Sequence, residues 1–352
     1  MKRHLLSRSA LAAATVAAVA ALTGFASAGA SASTAWPGGH GLPRHVFAPY
    51  FETYDTSGGL AALSHQSGAR YLSLAFLETD QPGSCTAYWN GDTSEPVSPA
   101  SFGADIARIQ AGGGNVIPSF GGYTADTTIT DIADSCTSVS DIAKVYENVI
   151  TTYNVPRIDL DVEGDSVSNA AGINRRNEAI AQVEAWAAAH GRRIQFSYTL
   201  PSLTSGLDAQ DEAVLQNAIA DGARISVVNL LTFDYFIGTA QEMATDTVTA
   251  ADSLHSQLES LYPGDSPARL WRMVGVTEMP GIDDFGPDET FTRADAVTIE
   301  NWARHAGIGT LSIWALQRDN GGCPGTKGAG TCSGLTQPNW FFSHVFEPFT
   351  RR

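Results

Sequence analysis

The chain has 352 residues, 16% of them charged and 43% hydrophobic, with 37 Asp and Glu against 21 Lys and Arg. Its formal charge of −16 becomes more negative by three if Lys2, Arg3 and Arg8 leave with a cleaved leader, which argues against nucleic acid or an anionic membrane as a partner. The length suits one large domain or two small ones.

Residues 1–32 read as a secretory signal peptide. Lys2, Arg3 and Arg8 form a basic start, an Ala-rich apolar stretch too short for a membrane span follows, and small residues offer cleavage after Ala28 or after Ala32. A secreted, extracellular, monomeric protein is therefore expected. Four cysteines in an exported chain read as two disulfides, and the pairing expected is Cys85–Cys136 with Cys323–Cys332, the second closing the Gly-rich loop CPGTKGAGTC. No Cys-x-x-Cys pair or nearby His pair appears, so no metal is expected.

From residue 45 onward apolar runs alternate with helical stretches. The runs at 45–52, 71–78, 115–122, 157–164, 193–200, 225–235, 272–279 and 310–317 read as strands. GINRRNEAIAQVEAWAAAHG and TRADAVTIENWARHAG read as helices, each ending in a glycine. Eight strands alternating with helices predict an α/β fold, a (β/α)8 TIM barrel in a single domain over 45–348. An open doubly wound sheet is the alternative, weakened because no Gly-rich nucleotide fingerprint follows the first strand.

The fourth run, RIDLDVEGD, places acids at Asp159, Asp161, Glu163 and Asp165, with Ile158, Leu160 and Val162 between them. A calcium loop would use acids at positions 1, 3 and 5 and glycine at 6. It also needs Glu at 12, where this chain has Ala170. As a strand, Asp159, Asp161 and Glu163 share one face and the apolar residues the other. In a barrel the acids would point inward, with Glu163 nearest the C-terminal mouth, where barrel active sites lie. Three inward acids are costly unless they share protons, accept hydrogen bonds or perform chemistry.

Asp-x-Asp-x-Glu at the end of the fourth strand resembles the signature of glycoside hydrolase family 18, the chitinases and their relatives. SFGG (119–122) is similar to that family's third-strand motif and VVNLLTFDY (227–235) to its sixth. SIWALQRD (312–319) is similar to its eighth, and SYTLP (197–201) to the fifth strand of a short-barrel bacterial and archaeal branch. Two positions depart from the pattern: Pro156 stands where the longer motif begins with Asp, and Phe233 where many relatives have Tyr.

The resemblance implies a secreted chitinase that cleaves β-1,4-linked N-acetylglucosamine chains, with chitin or chitooligosaccharides as partner and no cofactor. Its catalytic residues would be Glu163 as acid and base, Asp161 orienting the substrate acetamide, Asp159 modulating Asp161, and Asp234 beside the acetamide. Trp314 would form the floor of the reacting subsite and Phe233, Tyr198 and Tyr235 its walls, either tyrosine supplying the hydroxyl that Phe233 lacks. Ser119, Gly121 and Gly122 would support the site from below, and Trp89 would either extend the cleft or stand as a surface aromatic. The short segment between strands seven and eight implies an open groove and endo-cleavage. An endo-β-N-acetylglucosaminidase acting on N-glycans and a non-catalytic chitin-binding lectin are the alternatives on the same barrel.

Overall fold

In a computed structural model, residues 41–351 are described. The expected leader at 1–32 lies outside the described residues.

Strand β1 comes in two pieces, Val46–Phe47 and Tyr50–Glu52. It is followed by β2 (Tyr71–Thr79), β3 (Asn115–Gly121), β4 (Arg157–Asp161), β5 (Gln195–Pro201), β6 (Ile225–Leu231), β7 (Val274–Glu278) and β8 (Thr310–Ile313). From β2 to β8 each strand pairs in parallel with the next. The first piece of β1 pairs with β8 and the second with β2, so this strand joins the two ends of the sheet. It changes partner at Ala48–Pro49, where Ala48 N–H donates to Leu311 O and Ser73 N–H donates to Pro49 O, both at 3.0 Å. Proline has no N–H to give, and at this switch none is required.

A helix follows each strand in turn: α1 (Leu60–Ser67), α2 (Ala104–Ala111), α3 (Val139–Tyr153), α4 (Ala170–Ala189), α5 (Ala209–Ala220), α6 (Met243–Leu261), α7 (Arg293–Ala306) and α8 (Phe341–Phe346). Helix α7 shows why the sequence starts and stops where it does. The Thr292 hydroxyl accepts from Asp295 N–H, the Asp295 carboxylate accepts from Thr292 N–H, and the helix ends at Gly307 in the left-handed region. Between these ends Ala296, Ile299 and Ala303 form the buried stripe.

The apolar core lies between barrel and helices. Ile158, Leu160 and Val162 of the fourth run are fully buried there, with Phe196 and Leu200 of β5 and Val228 and Leu230 of β6. Each such side chain contributes about 1.5–3 kcal/mol by leaving water. The barrel interior is polar instead: Ser119, Asp159, Asp161, Ser197, Thr199, Asn229 and Thr277 are all buried.

Several strands are shorter than the sequence suggests. β4 ends at Asp161, because Gly164–Ser168 turns into a 3-10 helix, and β6 ends at Leu231, because Asp234 and Phe236 take positive φ. Residues 272 and 273 end the helix Pro267–Met273 before β7 begins. Both disulfides are the pairs expected, Cys85–Cys136 and Cys323–Cys332. Among the described residues no helix is long and apolar enough to cross a membrane.

Candidate active site

The inward residues of β4 climb from Asp159 through Asp161 toward the C-terminal mouth, and the chain stays extended through Glu163. Asp159 is the most heavily solvated of the three by protein groups. It accepts from Tyr50 OH at 2.9 Å, Ser119 Oγ at 2.8 Å, Ser197 Oγ at 2.6 Å and Thr199 Oγ1 at 3.1 Å. Burial raises its pKa, and these hydroxyls oppose the rise. Asp161, one level up, is buried with no partner for its Oδ1. Burial, then the charges of Glu163, Asp159 and Asp126, hold its carboxyl well above the usual range. Glu163 is half-buried at the mouth; burial pushes it up to about 7, against a smaller downward pull from the Tyr123 backbone N–H. Such crowded acids cannot all ionise together.

The glycines after β3 position this stair. A Cβ on Gly121 (φ 96°) would lie 2.1 Å from Asp161 O, and Gly122 N–H donates to that same oxygen at 2.9 Å. A Cβ on Gly122 would run into the Phe76 ring at 2.5 Å. Only glycine allows so close an approach with positive φ. Beyond them, Asp126 of the short helix Tyr123–Thr128 is buried and accepts from Glu163 N–H.

Above the acids lies a cleft of about 670 Å³, within the usual size of a ligand site. Asp161, Glu163, Gly121, Phe233, Asp234 and Trp314 all line it. Its floor is aromatic: Phe76 and Trp314, each next to a cis peptide (Ala75–Phe76 and Trp314–Ala315), stack at 5.5 Å and 17°. Tyr50 packs against Trp314 at 5.6 Å. Tyr54, Tyr123 and Phe285 form an exposed rim, with Phe236 beside Phe285 at 4.3 Å.

Asp234 caps the sixth strand's loop. Burial, then Asp284 and Asp283, push its carboxyl up to about 8. Ligand oxygens of Asp234, Asp283 and Glu289 lie within 4.8 Å of one another, a candidate cation cluster that the sequence reading did not anticipate. Those oxygens already serve the loop backbone. Asp283 accepts from Phe285, Gly286 and Asp234 N–H, and Glu289 from Tyr235 and Ile237 N–H.

Two expected wall residues are elsewhere. Tyr198 sits on the outward face of β5 with Phe196 and Leu200, fully buried, its OH donating to Asn177 Oδ1 of α4 at 2.7 Å. Tyr235 is buried away from the cleft, its phenol near Glu278 and Asp246. Neither supplies the hydroxyl missing at Phe233. Trp89 does not extend the cleft either: it is fully buried and donates to Tyr153 OH at 3.0 Å. Ser119 lies beneath the site as a donor to Asp159. The sequence reading missed Tyr50, Phe76, Tyr123 and Asp126. Of these, Tyr123 and Asp126 carried a signal of position alone, directly after SFGG.

Crowded carboxyls over an aromatic floor at the C-terminal mouth of a closed parallel barrel are an arrangement suited to acid–base chemistry on a sugar chain. No protein-family profile matches the chain. It is 32% identical over 322 residues to a probable bifunctional chitinase/lysozyme of Escherichia coli (strain K12), covering 88% of this chain and 35% of that one. It is also 32% identical over 288 residues to endochitinase 11 of Metarhizium anisopliae, covering 79% of this chain and 53% of that one. The chain thus spans about a third to a half of the length of these curated relatives. The catalytic domain of a hyperthermophilic chitinase from Pyrococcus furiosus superposes with a TM-score of 0.78 at 28% identity, covering 90% of this chain and 98% of that one. Catalytic-site mutants of active domain 2 of the Pyrococcus furiosus thermostable chitinase, complexed with chito-oligosaccharides, match at 0.78 and 27%. Over most of its length the chain is similar to chitinases, in sequence and in fold.

Proposed function

We propose that the protein is a secreted chitinase that cleaves internal β-1,4 bonds of N-acetylglucosamine polymers by a retaining, substrate-assisted mechanism. The observation that carries this reading is the acid stair of β4, buried Asp161 with Glu163 above it, in one cleft with the Phe76–Trp314 floor; burial pushes Glu163 up to about 7 and holds Asp161 well above the usual carboxylate range. Glu163 donates its proton to the leaving glycosidic oxygen as the substrate's acetamide oxygen attacks the anomeric carbon. Asp161 takes the acetamide N–H and stabilises the positive oxazolinium, aided by Asp159 below it. Glu163, now ionised, accepts a proton from the water that opens the ring. With Tyr198 and Tyr235 turned away, protonated Asp234 is the group left to donate a hydrogen bond toward the acetamide from the sixth strand. Pyranose C–H faces rest on the aromatic floor.

Endo-cleavage is supported by the modest loop after β7, whose two-stranded piece is only Gly281–Ile282 with Thr290–Phe291. Secretion is supported by the leader pattern and by two disulfides, which persist in oxidising compartments. A monomer that engages neither nucleic acid nor membrane fits the acidic balance.

The test is product release from N-acetylchitohexaose by the mature protein beside Glu163→Gln. Cleavage that collapses in the variant supports both acid and reaction class. Equal activity in the two proteins would sink the assignment of Glu163. Binding without cleavage in the parent protein would make it a lectin, and cleavage of a high-mannose glycopeptide alone would move the substrate to N-glycans. Products released singly from chain ends would overturn the endo mode.

A further inference from the structure

Arg157 shares the inward face of β4 with Asp159 and Asp161, one level below them. Its side chain is buried in the barrel, with the whole residue 5% exposed. The guanidinium donates to neutral acceptors: Nε and Nη2 to Gln195 Oε1 at 3.1 and 2.8 Å, and Nη1 to Thr310 Oγ1 at 3.2 Å. Among the described residues it makes no ion pair within 4 Å. Burial lowers it only to about 10, so it stays charged at neutral pH. A lone buried cation is an expensive arrangement unless an anion answers it.

Arg157 and Asp159 both line a small cavity of about 10 Å³ inside the barrel, roughly the space of one water. Tyr50, Ser73, Ser197, Asn229 and Ser312 line it as well, beside apolar Ile117 and Val227. Asn229 is 4% exposed; its Nδ2 donates to Thr199 Oγ1 at 3.1 Å and Thr277 Oγ1 at 2.7 Å, while its Oδ1 has no partner. A water-sized space lined by a guanidinium, a carboxylate, hydroxyls and an amide whose oxygen lacks a partner is one that a buried water can occupy.

We infer that Arg157 is the counter-ion of Asp159, linked to it across one buried water held by Asn229, and that this pairing keeps Asp159 ionised while Asp161 above it holds a proton. The titratable groups that face Asp159 are Tyr50 from β1 and Arg157 and Asp161 from β4. The other groups around it are the hydroxyls of Ser119, Ser197 and Thr199. Tyr50 is buried and held far above its usual pKa, so it stays a neutral donor. Arg157 is then the cation on this face. Its charge stabilises Asp159⁻, and Asp159⁻ in turn disfavours a second negative charge on Asp161. Arg157 never meets substrate. It is a positioning residue for protons, and this role rests on the reading of Asp161 and Glu163 given above.

Two measurements test the pairing. In the first, kcat for N-acetylchitohexaose is followed against pH in Arg157→Met and Arg157→Lys. Loss of the cation raises the pH at which Asp159 ionises, so the acidic limb moves up by about one unit in Arg157→Met and returns in Arg157→Lys. An unmoved limb in Arg157→Met overturns the proton assignment. The second measurement needs no activity: Tm of Arg157→Met, of Asp159→Asn and of the double variant. A double variant that loses clearly less than the sum of the singles supports a charge pair, and strict additivity overturns it. If the single variants do not fold, rescue of folding in the double variant reports the same coupling, and a double variant that also fails to fold counts against the pairing. A high-resolution crystal structure of the unaltered protein with a dry cavity removes the bridging water. A protein that cleaves nothing yet shows the coupling would separate failure of the functional reading from failure of this one.

Discussion

Asp131 and Asp134, in the loop after β3, sit against Arg176 of α4. Asp161 and Glu163, at the end of β4, have no cation in ion-pair range among the described residues. In the first cluster Arg176 Nη2 lies 2.7 Å from Asp131 Oδ1 with both side chains buried. Asp131 also caps the helix Ile132–Ser135 through Ala133 N–H, and Asp134 takes Asn169 Nδ2 at 2.9 Å and the Ser166 hydroxyl. There negative charge is answered on the spot and serves to pin loop to helix. In the second, desolvation is left unanswered, which holds Asp161 well above the usual carboxylate range and pushes Glu163 up to about 7. Burying a carboxyl therefore does not by itself define a site; at the mouth of the cleft, the missing cation is what leaves an acid able to arrive protonated.

The two clusters should differ most at Glu163. Glu163→Gln should lower kcat by about 10³-fold with a much smaller change in KM, measured on N-acetylchitohexaose, because it removes a proton donor and leaves the cleft's shape. Arg176→Met should act on stability instead. Stranding buried Asp131 without its cation is expected to cost about 3–5 kcal/mol in a urea titration at neutral pH. The folded fraction should keep the parent's pH–rate profile. A shifted profile with little loss of stability would mean that the two clusters are one.

Most of the barrel was legible because its signal is local. RIDLDVEGD carries its own alternation, and the buried set Ile158, Leu160 and Val162 follows from period two alone. The same rule already turned Tyr198 outward, since Ser197 and Thr199 share the opposite parity and face Asp159. At Tyr198 the family likeness and the alternation point to opposite faces, and the side chain follows the alternation. Tyr235 is different. The chain leaves β6 at Leu231 and passes through positive φ at Asp234, so parity cannot be carried past that point. Phe76 was invisible for a third reason. YLSLAFLE reads only as a buried strand, and the stack with Trp314 exists because closure at β1 brings β2 within reach of β8. Asp126 lies on one short helical turn, too brief for any periodicity to show.

Raised carboxyl pKa values also sharpen the contrast through pH. Glu163 at about 7 and Asp234 at about 8 hold protons in the folded protein that the unfolded chain releases near the usual carboxylate range. Their contribution to stability is fully present at acid pH and is lost as pH rises through those folded values. Tm should therefore fall between pH 5 and pH 9. Asp234→Asn, which is neutral throughout, should fall less over the same span; an equal or steeper slope would show that Asp234 is ionised in the folded state. Activity should decline on the alkaline side of about pH 7 as Glu163 loses its proton.

The smallest effect expected is at Tyr198, and it separates packing from chemistry within one strand. Its OH donates to Asn177 Oδ1 in the layer between β5 and α4, while Ser197 and Thr199 on either side reach Asp159. Tyr198→Phe keeps the ring and leaves an acceptor unsatisfied, a loss of about 1–3 kcal/mol. No group near the cleft changes, so kcat and KM on N-acetylchitohexaose should match the parent. Ser197→Ala, one residue earlier, removes a 2.6 Å donor from Asp159. With that donor gone, Asp159 is harder to ionise, so the acidic limb of the pH–rate profile should move toward higher pH. If instead Tyr198→Phe altered the profile and Ser197→Ala did not, the face of β5 that serves the reaction would be the outer one, and the orientation of the barrel's polar interior would have to be reconsidered.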